Sequence, residues 1–301
     1  MKWTLHILMF LLIGFSSIAQ TELPMTRKAA RFALAGDLAA ARTISDQAVK
    51  SSEGIDAYAW FTHGYIYKEI FKKIENESIN SDNRETAINS ILKSRELDTK
   101  GQYSSDIKKA LEYLAYSYYN QGVTMIESHD PQWLEQAEGF FDRFEKVLRE
   151  VDPMVDLTQT RVTYLKSLAQ GYEKVFDHNP KKEEYIREAI AYYEKAISIS
   201  PQDYEANYNV AIDYYNQGVH RIKRINHDTE IFELIVIQEE CIQLFKLSLP
   251  YMLKAHAQNP QRRETLVGLM AIYRALNEDE LSNQYKDNLT QLIESGVIDK
   301  H

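Results

Sequence analysis

Tyr118-Tyr119-Asn120-Gln121-Gly122-Val123 recurs letter for letter as Tyr214-Tyr215-Asn216-Gln217-Gly218-Val219, 96 residues further along the chain. A helical phrase repeated at such a distance marks an architecture of stacked units and not a single globular core. Around the first copy, Leu111, Leu114, Ala115 and Tyr118 fall at three- and four-residue spacing, one face of an amphipathic helix. The same spacing recurs along most of the chain. Gly and Pro are scarce, and no strand-type alternation of Val, Ile and Thr appears. Pro153, Pro201 and Pro260 each follow a long periodic run, where a helix stops. The expectation is an all-α protein of about twelve helices, paired as 24–52, 56–99, 104–153, 157–201, 203–260 and 262–296. No linker is long enough to divide it, so residues 20–301 read as one domain.

The hairpins resemble the tetratricopeptide repeat (TPR), a helical pair of about 34 residues whose pattern runs W-x2-L-G-x2-Y, then A-x3-F, then P. Trp60-x2-His63-Gly64-x2-Tyr67 fits the opening, with His63 in the leucine place. Leu111-x2-Leu114-Ala115-x2-Tyr118 and Leu165-x2-Leu168-Ala169-x2-Tyr172 fit as well. Ala137-x3-Phe141 and Ala87-x3-Ile91 match the second helix, and residues 188–196, closing at Pro201, do so too. The matches lie within 56–260. Small residues such as Gly64, Ala115, Ala169 and Ala211 admit a neighbouring helix, and the bulky ones fill the adjoining gap. The gaps between first- and second-helix motifs exceed the family's, which suggests lengthened helices over 66–78, 219–226 and 229–247. Pro250 is expected to kink or restart the last of these.

The resemblance implies an α-solenoid of about six antiparallel hairpins, a right-handed superhelix whose first helices line a concave wall. Carried over by position, that wall holds Phe61, Tyr65 and Lys68; Glu112, Tyr116, Tyr119 and Asn120; Lys166, Gln170 and Lys174; and Tyr208, Ile212, Tyr215 and Asn216. Tyrosine offers rigid contact area and a hydroxyl, and asparagine pairs with a peptide backbone. Tyr119 and Tyr215 also stand where the family favours Tyr for packing between repeats. Asn209 matches a place used by family members that grip a C-terminal carboxylate, but Tyr208 and Ile212 replace that clamp's Lys and Asn.

The first residues read as an export signal. Lys2 is followed by an apolar stretch from Leu5 to Phe15 and by Ser17-Ile18-Ala19, which places cleavage after Ala19. That stretch falls short of the roughly 20 residues needed to span a bilayer, and no Cys follows for a lipid anchor. The expectation is a soluble, exported protein, periplasmic or secreted. Cys241 is the only cysteine, which excludes an intramolecular disulfide. Lys and Arg number 35 against 44 Asp and Glu, a net charge of −9; this balance argues against a nucleic-acid partner. The basic cluster His220, Arg221, Lys223, Arg224 and His227 falls at an expected helix end, where cations complement the helix dipole.

No H-E-x-x-H, G-x-S-x-G or phosphate-binding loop occurs, and neither a metal site nor a cofactor is expected. The chain therefore reads as a non-enzymatic scaffold of the bacterial cell envelope, binding a protein or peptide in its groove. The alternative is a carbohydrate-binding accessory protein of a glycan-uptake system. A separate apolar run, residues 231–249 with Phe232 and Val236 in it, covers about three faces of a helix. It reads either as a buried helix or as an interface for a partner or a second copy of the chain.

Overall fold

The computed structural model describes residues 23–298; the leader assigned to residues 1–19 lies outside the described residues. Twelve α-helices and one 3-10 turn, Ser52–Ile55, make up the described secondary structure, and no strand occurs among those residues. In order they are α1 (Met25–Leu34), α2 (Leu38–Ala48), α3 (Ala57–Lys73), α4 (Asp82–Leu97), α5 (Ser104–Glu127) and α6 (Pro131–Val151). There follow α7 (Thr158–His178), α8 (Glu183–Ile199), α9 (Tyr204–Lys223), α10 (Ile231–Gln258), α11 (Arg263–Ala275) and α12 (Asp279–Glu294). Consecutive helices pair into six hairpins, each inside the bounds read from periodicity and proline placement. The protein is an all-α array of helical hairpins. No described helix is long and apolar enough to cross a membrane.

Short polar side chains start many of the helices. Asp37, Asp56, Ser81, Asp130 and Asp203 each accept a backbone N–H from the first turn that follows, satisfying donors that have no partner within the helix. Gly36, at φ +85°, supplies the left-handed residue that reverses the chain between α1 and α2.

The chain divides into two compact units, one up to Ile107 and one from Lys108 onward. In the first, Ala29, Leu38, Ala41, Ile66 and Ile70 form a core against which Phe32 and Ile44 pack. Helices α3 and α4 close on Gly64, where a Cβ would lie 2.6 Å from Ile91 Cγ1 and 3.0 Å from the Ala87 carbonyl oxygen. His63, in the family's leucine place, is buried but not apolar in its contacts. Its Nδ1 lies 2.8 Å from Ser90 Oγ and its Nε2 3.0 Å from Asp46 Oδ1, and Asp46 also accepts from Tyr67 Oη at 2.9 Å. Burial lowers the pKa of His63 despite the hydrogen bond to Asp46. Glu53 caps α1 from a distance, accepting the Met25 and Thr26 amides at 2.8 Å each.

In the second unit the predicted seam of α5 is the buried one: Leu111, Leu114, Ala115 and Tyr118 are at most 1% exposed. A second core gathers Ala211, Met252, Leu269, Ile272 and Tyr273 from α9, α10 and α11. Helix α9 approaches α10 at Gly218, where a Cβ would meet the Phe245 ring at 2.6 Å.

Lengthened helices are found at α9 and α10, and three expected limits are revised. Helix α3 ends at Lys73, because Asn76 and Glu77 take positive φ, so part of the extra span before Ala87 is loop. Helix α9 stops at Lys223 and α10 starts at Ile231, which leaves a turn between them. Helix α10 also runs unbroken through Pro250 for 28 residues and does not restart there. Buried Ser248, Met252 and Ala255 anchor it on both sides of the proline.

The first two turns of α10 are not a buried helix. Ile231 and Phe232 are 70% and 79% exposed, and Ile235 and Val236 about half. Cys241 is the first fully buried residue of that helix; its thiol donates to the Gly218 carbonyl and burial pushes its pKa up. Two of the basic residues at the end of α9 pair with carboxylates, Arg221 with Glu183 and Glu240 and Arg224 with Glu183.

Candidate binding surfaces

In the first unit an open recess of ≈ 1120 Å³ lies between α1, the start of α3 and the loop leading to α5. Arg27, Arg31 and Leu34 reach it from α1, and Tyr58 and Tyr103 wall the other side. Asp98 holds Tyr103 in place by accepting the Gln102 and Tyr103 amides at 2.8 and 2.7 Å. The Tyr103 ring stacks on Tyr58 at 5.8 Å and on Phe61 at 6.2 Å. Phe61 in turn touches Tyr65 at 6.5 Å, and the Lys68 ammonium sits 4.7 Å over the Tyr65 ring. A row of aromatic faces thus runs along α3, in the offset and tilted geometries that ring quadrupoles favour.

In the second unit a recess of ≈ 550 Å³ opens where α7, α9 and α11 meet. Tyr204 and Tyr208, one turn apart on α9, stack at 5.9 Å with an interplanar angle of 9°, and the Arg262 guanidinium lies 4.4 Å over Tyr204. Burial pushes the Tyr204 hydroxyl up to about 12. Across the recess Lys166 Nζ pairs with Asp203 at 3.2 Å and Glu205 at 2.7 Å. Burial alone would lower the pKa of this ammonium, but the two carboxylates raise it. Gln170 Nε2 donates to Glu205 at 3.0 Å.

Further along α7 and α9 lies a smaller, more enclosed recess of ≈ 210 Å³. Glu173 and Asp213 face each other in it, with Asp177, Asn216 and His220 at its sides. Asp213 is 7% exposed, and its Oδ2 is fully buried and meets no amide, amine or hydroxyl donor. Behind the pair, Asn209 Nδ2 donates to the Tyr193 hydroxyl at 2.8 Å, and that hydroxyl hydrogen-bonds Glu173. Burial pushes both carboxyls above the ordinary range, and each is pushed up further by acidic neighbours, Asp177 among them.

The expected wall residues distribute unevenly. Phe61 and Tyr65 join the aromatic row, and Tyr208 lines the larger recess of the second unit. Tyr116 is 50% exposed and rests one face on Phe144 at 5.3 Å. Tyr119 is wedged among Phe141, Phe144 and Tyr164, and Tyr215 lies against Phe245 at 5.3 Å. Both therefore have packing partners inside the array. Asn120 is exposed, and Asn216 lines the acidic recess. Phe232 and Val236 stand together on the exposed start of α10. Asn209, whose position alone matched the carboxylate-gripping family members, spends its amide on Tyr193.

Six side chains at these recesses escape a reading by motif: Tyr58, Tyr103, Tyr204, Arg262, Glu173 and Asp213. Glu173 follows the seam residue Tyr172 and Asp213 precedes its counterpart Tyr214, but a helix turns about 100° per residue, so position alone puts neither carboxyl inside. Among the described residues no group of three or more His, Cys, Asp or Glu is arranged to hold a metal ion.

No family model and no curated protein matches the chain. Solved structures of IFIT1 align weakly. A monomeric mutant with Gppp-AAAA is 14% identical over 88% of this chain and 58% of that one, at a TM-score of 0.37. The human IFIT1 dimer with PPP-AAAA is 13% identical over 90% of this chain and 73% of that one, at a TM-score of 0.21. The chain thus spans little more than half the length of the first of these. Scores below 0.5 lend no weight to either fold or function, and the architecture rests on its own helices.

Proposed function

We propose that this chain is a non-enzymatic scaffold that binds a protein or peptide through the first-helix side of a tetratricopeptide-like array. We place it in the bacterial cell envelope, exported by the leader ending at Ala19. The observation that carries the reading is where the recesses open. Both recesses of the second unit are walled mainly by first helices, α7, α9 and α11, and that of the first unit by α1, the start of α3 and the loops before α3 and α5. Second helices contribute little to them. Accessible tyrosines, with arginine and carboxylate groups between them, suit an extended peptide that offers both backbone amides and side chains.

Site-specific photo-crosslinking tests this in cells. A benzoylphenylalanine at Tyr65 or Tyr116, both accessible, is expected to capture a protein. One at Phe232 is expected to capture none. Adducts only at Phe232 would move the interface to α10, and glycan binding without any protein adduct would favour the carbohydrate alternative. N-terminal sequencing of the envelope fraction is expected to begin at Gln20.

A further inference from the structure

We propose that the recess between α7 and α9 receives one basic side chain of the bound partner, an alkyl stem ending in an ammonium or guanidinium group. The inference rests on the scaffold reading and specifies what its second unit selects. Glu173, Asp177 and Asp213 bring three carboxyl groups to a space of ≈ 210 Å³, and none of its lining residues is a lysine or arginine. Asp213, more than nine-tenths buried, lines that space; its Oδ2 meets no amide, amine or hydroxyl donor, and its carboxyl hydrogen-bonds that of Glu173. Two carboxyls in hydrogen-bond contact are held together by a shared proton, and losing it would leave like charges side by side. A basic head group would supply N–H donors and a positive charge in place of that proton. Phe176 and Ile186 offer apolar surface to its stem, and the Asn216 and Gln217 amides stand at hand beside it.

The groups facing the pair account for its proton. Asp177 on α7, Tyr193 on α8 and Glu205 and His220 on α9 surround it. None of them is a fixed cation, so the empty recess keeps a proton that an incoming cation displaces. Binding should therefore release a proton and strengthen as pH rises.

The test uses the full chain and three small probes in an NMR titration: the Nα-acetyl methylamides of arginine, lysine and norleucine. Arginine, lysine or both are expected to shift resonances of α7 and α9, while neutral norleucine does not. Asp213→Asn and Glu173→Gln should each weaken that binding roughly tenfold or more, while Glu184→Gln, on the exposed surface, leaves it unchanged. Thermal melting separates this role from a structural one. Relief of the buried repulsion predicts an equal or higher Tm for Asp213→Asn in the absence of probe. No shift with either basic probe, equal binding by norleucine, unaltered affinity in both variants or a lowered Tm in both would each overturn the proposal. Because no partner protein is used, such a result leaves the scaffold reading to its own crosslinking test.

Discussion

Gly64 bears on stability through the space it leaves empty. The Ile91 side chain and the Ala87 carbonyl already stand where its Cβ would be, so Gly64→Leu forces α3 and α4 apart. We expect a loss of about 1–3 kcal/mol or more, read by urea denaturation. Tyr119 and Tyr116 give a paired comparison. Tyr119 has three ring partners, whereas half of Tyr116 faces solvent. Tyr119→Ala should cost about 2 kcal/mol through its lost ring contacts, and Tyr116→Ala clearly less; equal losses would show that those contacts add nothing to stability. Glu173 and Asp213 predict the pH dependence. Unfolded carboxyls titrate near about 4, and burial raises both in the folded chain. Above that range the folded state holds more protons than the unfolded one, so stability falls as pH rises through the raised values. Asp213→Asn should flatten that fall in melts taken from pH 4 upward. Residue spacing alone made the seam of Leu111, Leu114, Ala115 and Tyr118 legible. It could not reveal the acidic pair, whose members lie far apart in sequence and meet only after α7, α8 and α9 have packed.

Helix ends were legible where proline placement and periodicity agree, and less so where they conflict. Helices α6, α8 and α10 stop at Val151, Ile199 and Gln258, each two residues before Pro153, Pro201 or Pro260. At α10 the local signal, Pro250, is overridden by packing on both sides of it. That proline removes a hydrogen-bond donor and crowds the carbonyl four residues earlier, at a cost of about 3 kcal/mol relative to alanine in a helix interior. Pro250 is exposed, so its replacement disturbs no core. Pro250→Ala is therefore expected to stabilise the protein by about 1–3 kcal/mol in denaturant titrations. An unchanged or lower stability would mean that the neighbouring helices require a bend at this point. The exposed start of α10 was legible only as apolar, because composition cannot say which of a helix's faces finds a neighbour.

An array of hairpins distributes its stability among neighbouring contacts and has no single centre. The core around Ala29 and Ile66 and the core around Ala211 and Leu269 belong to different units, and each can respond to a local change by itself. Binding should follow the same locality. If a partner lies along first helices, hydrogen exchange on the complex should slow at the amides bordering the recesses, on α1, α3, α7 and α9. The second helices α2, α4 and α8, which contribute little to those recesses, should exchange as in the free protein. The net charge of −9 adds a constraint on the partner. A polyanion would have to overcome repulsion from the whole chain, whereas a segment carrying basic side chains is drawn to it. Complex formation with such a segment should accelerate at low ionic strength, by stopped-flow measurement, and slow as salt screens the attraction. Association that quickens with added salt would require a partner of the opposite charge from the one proposed. Protection confined to residues 231–236 would instead assign the interface to the exposed apolar start of α10.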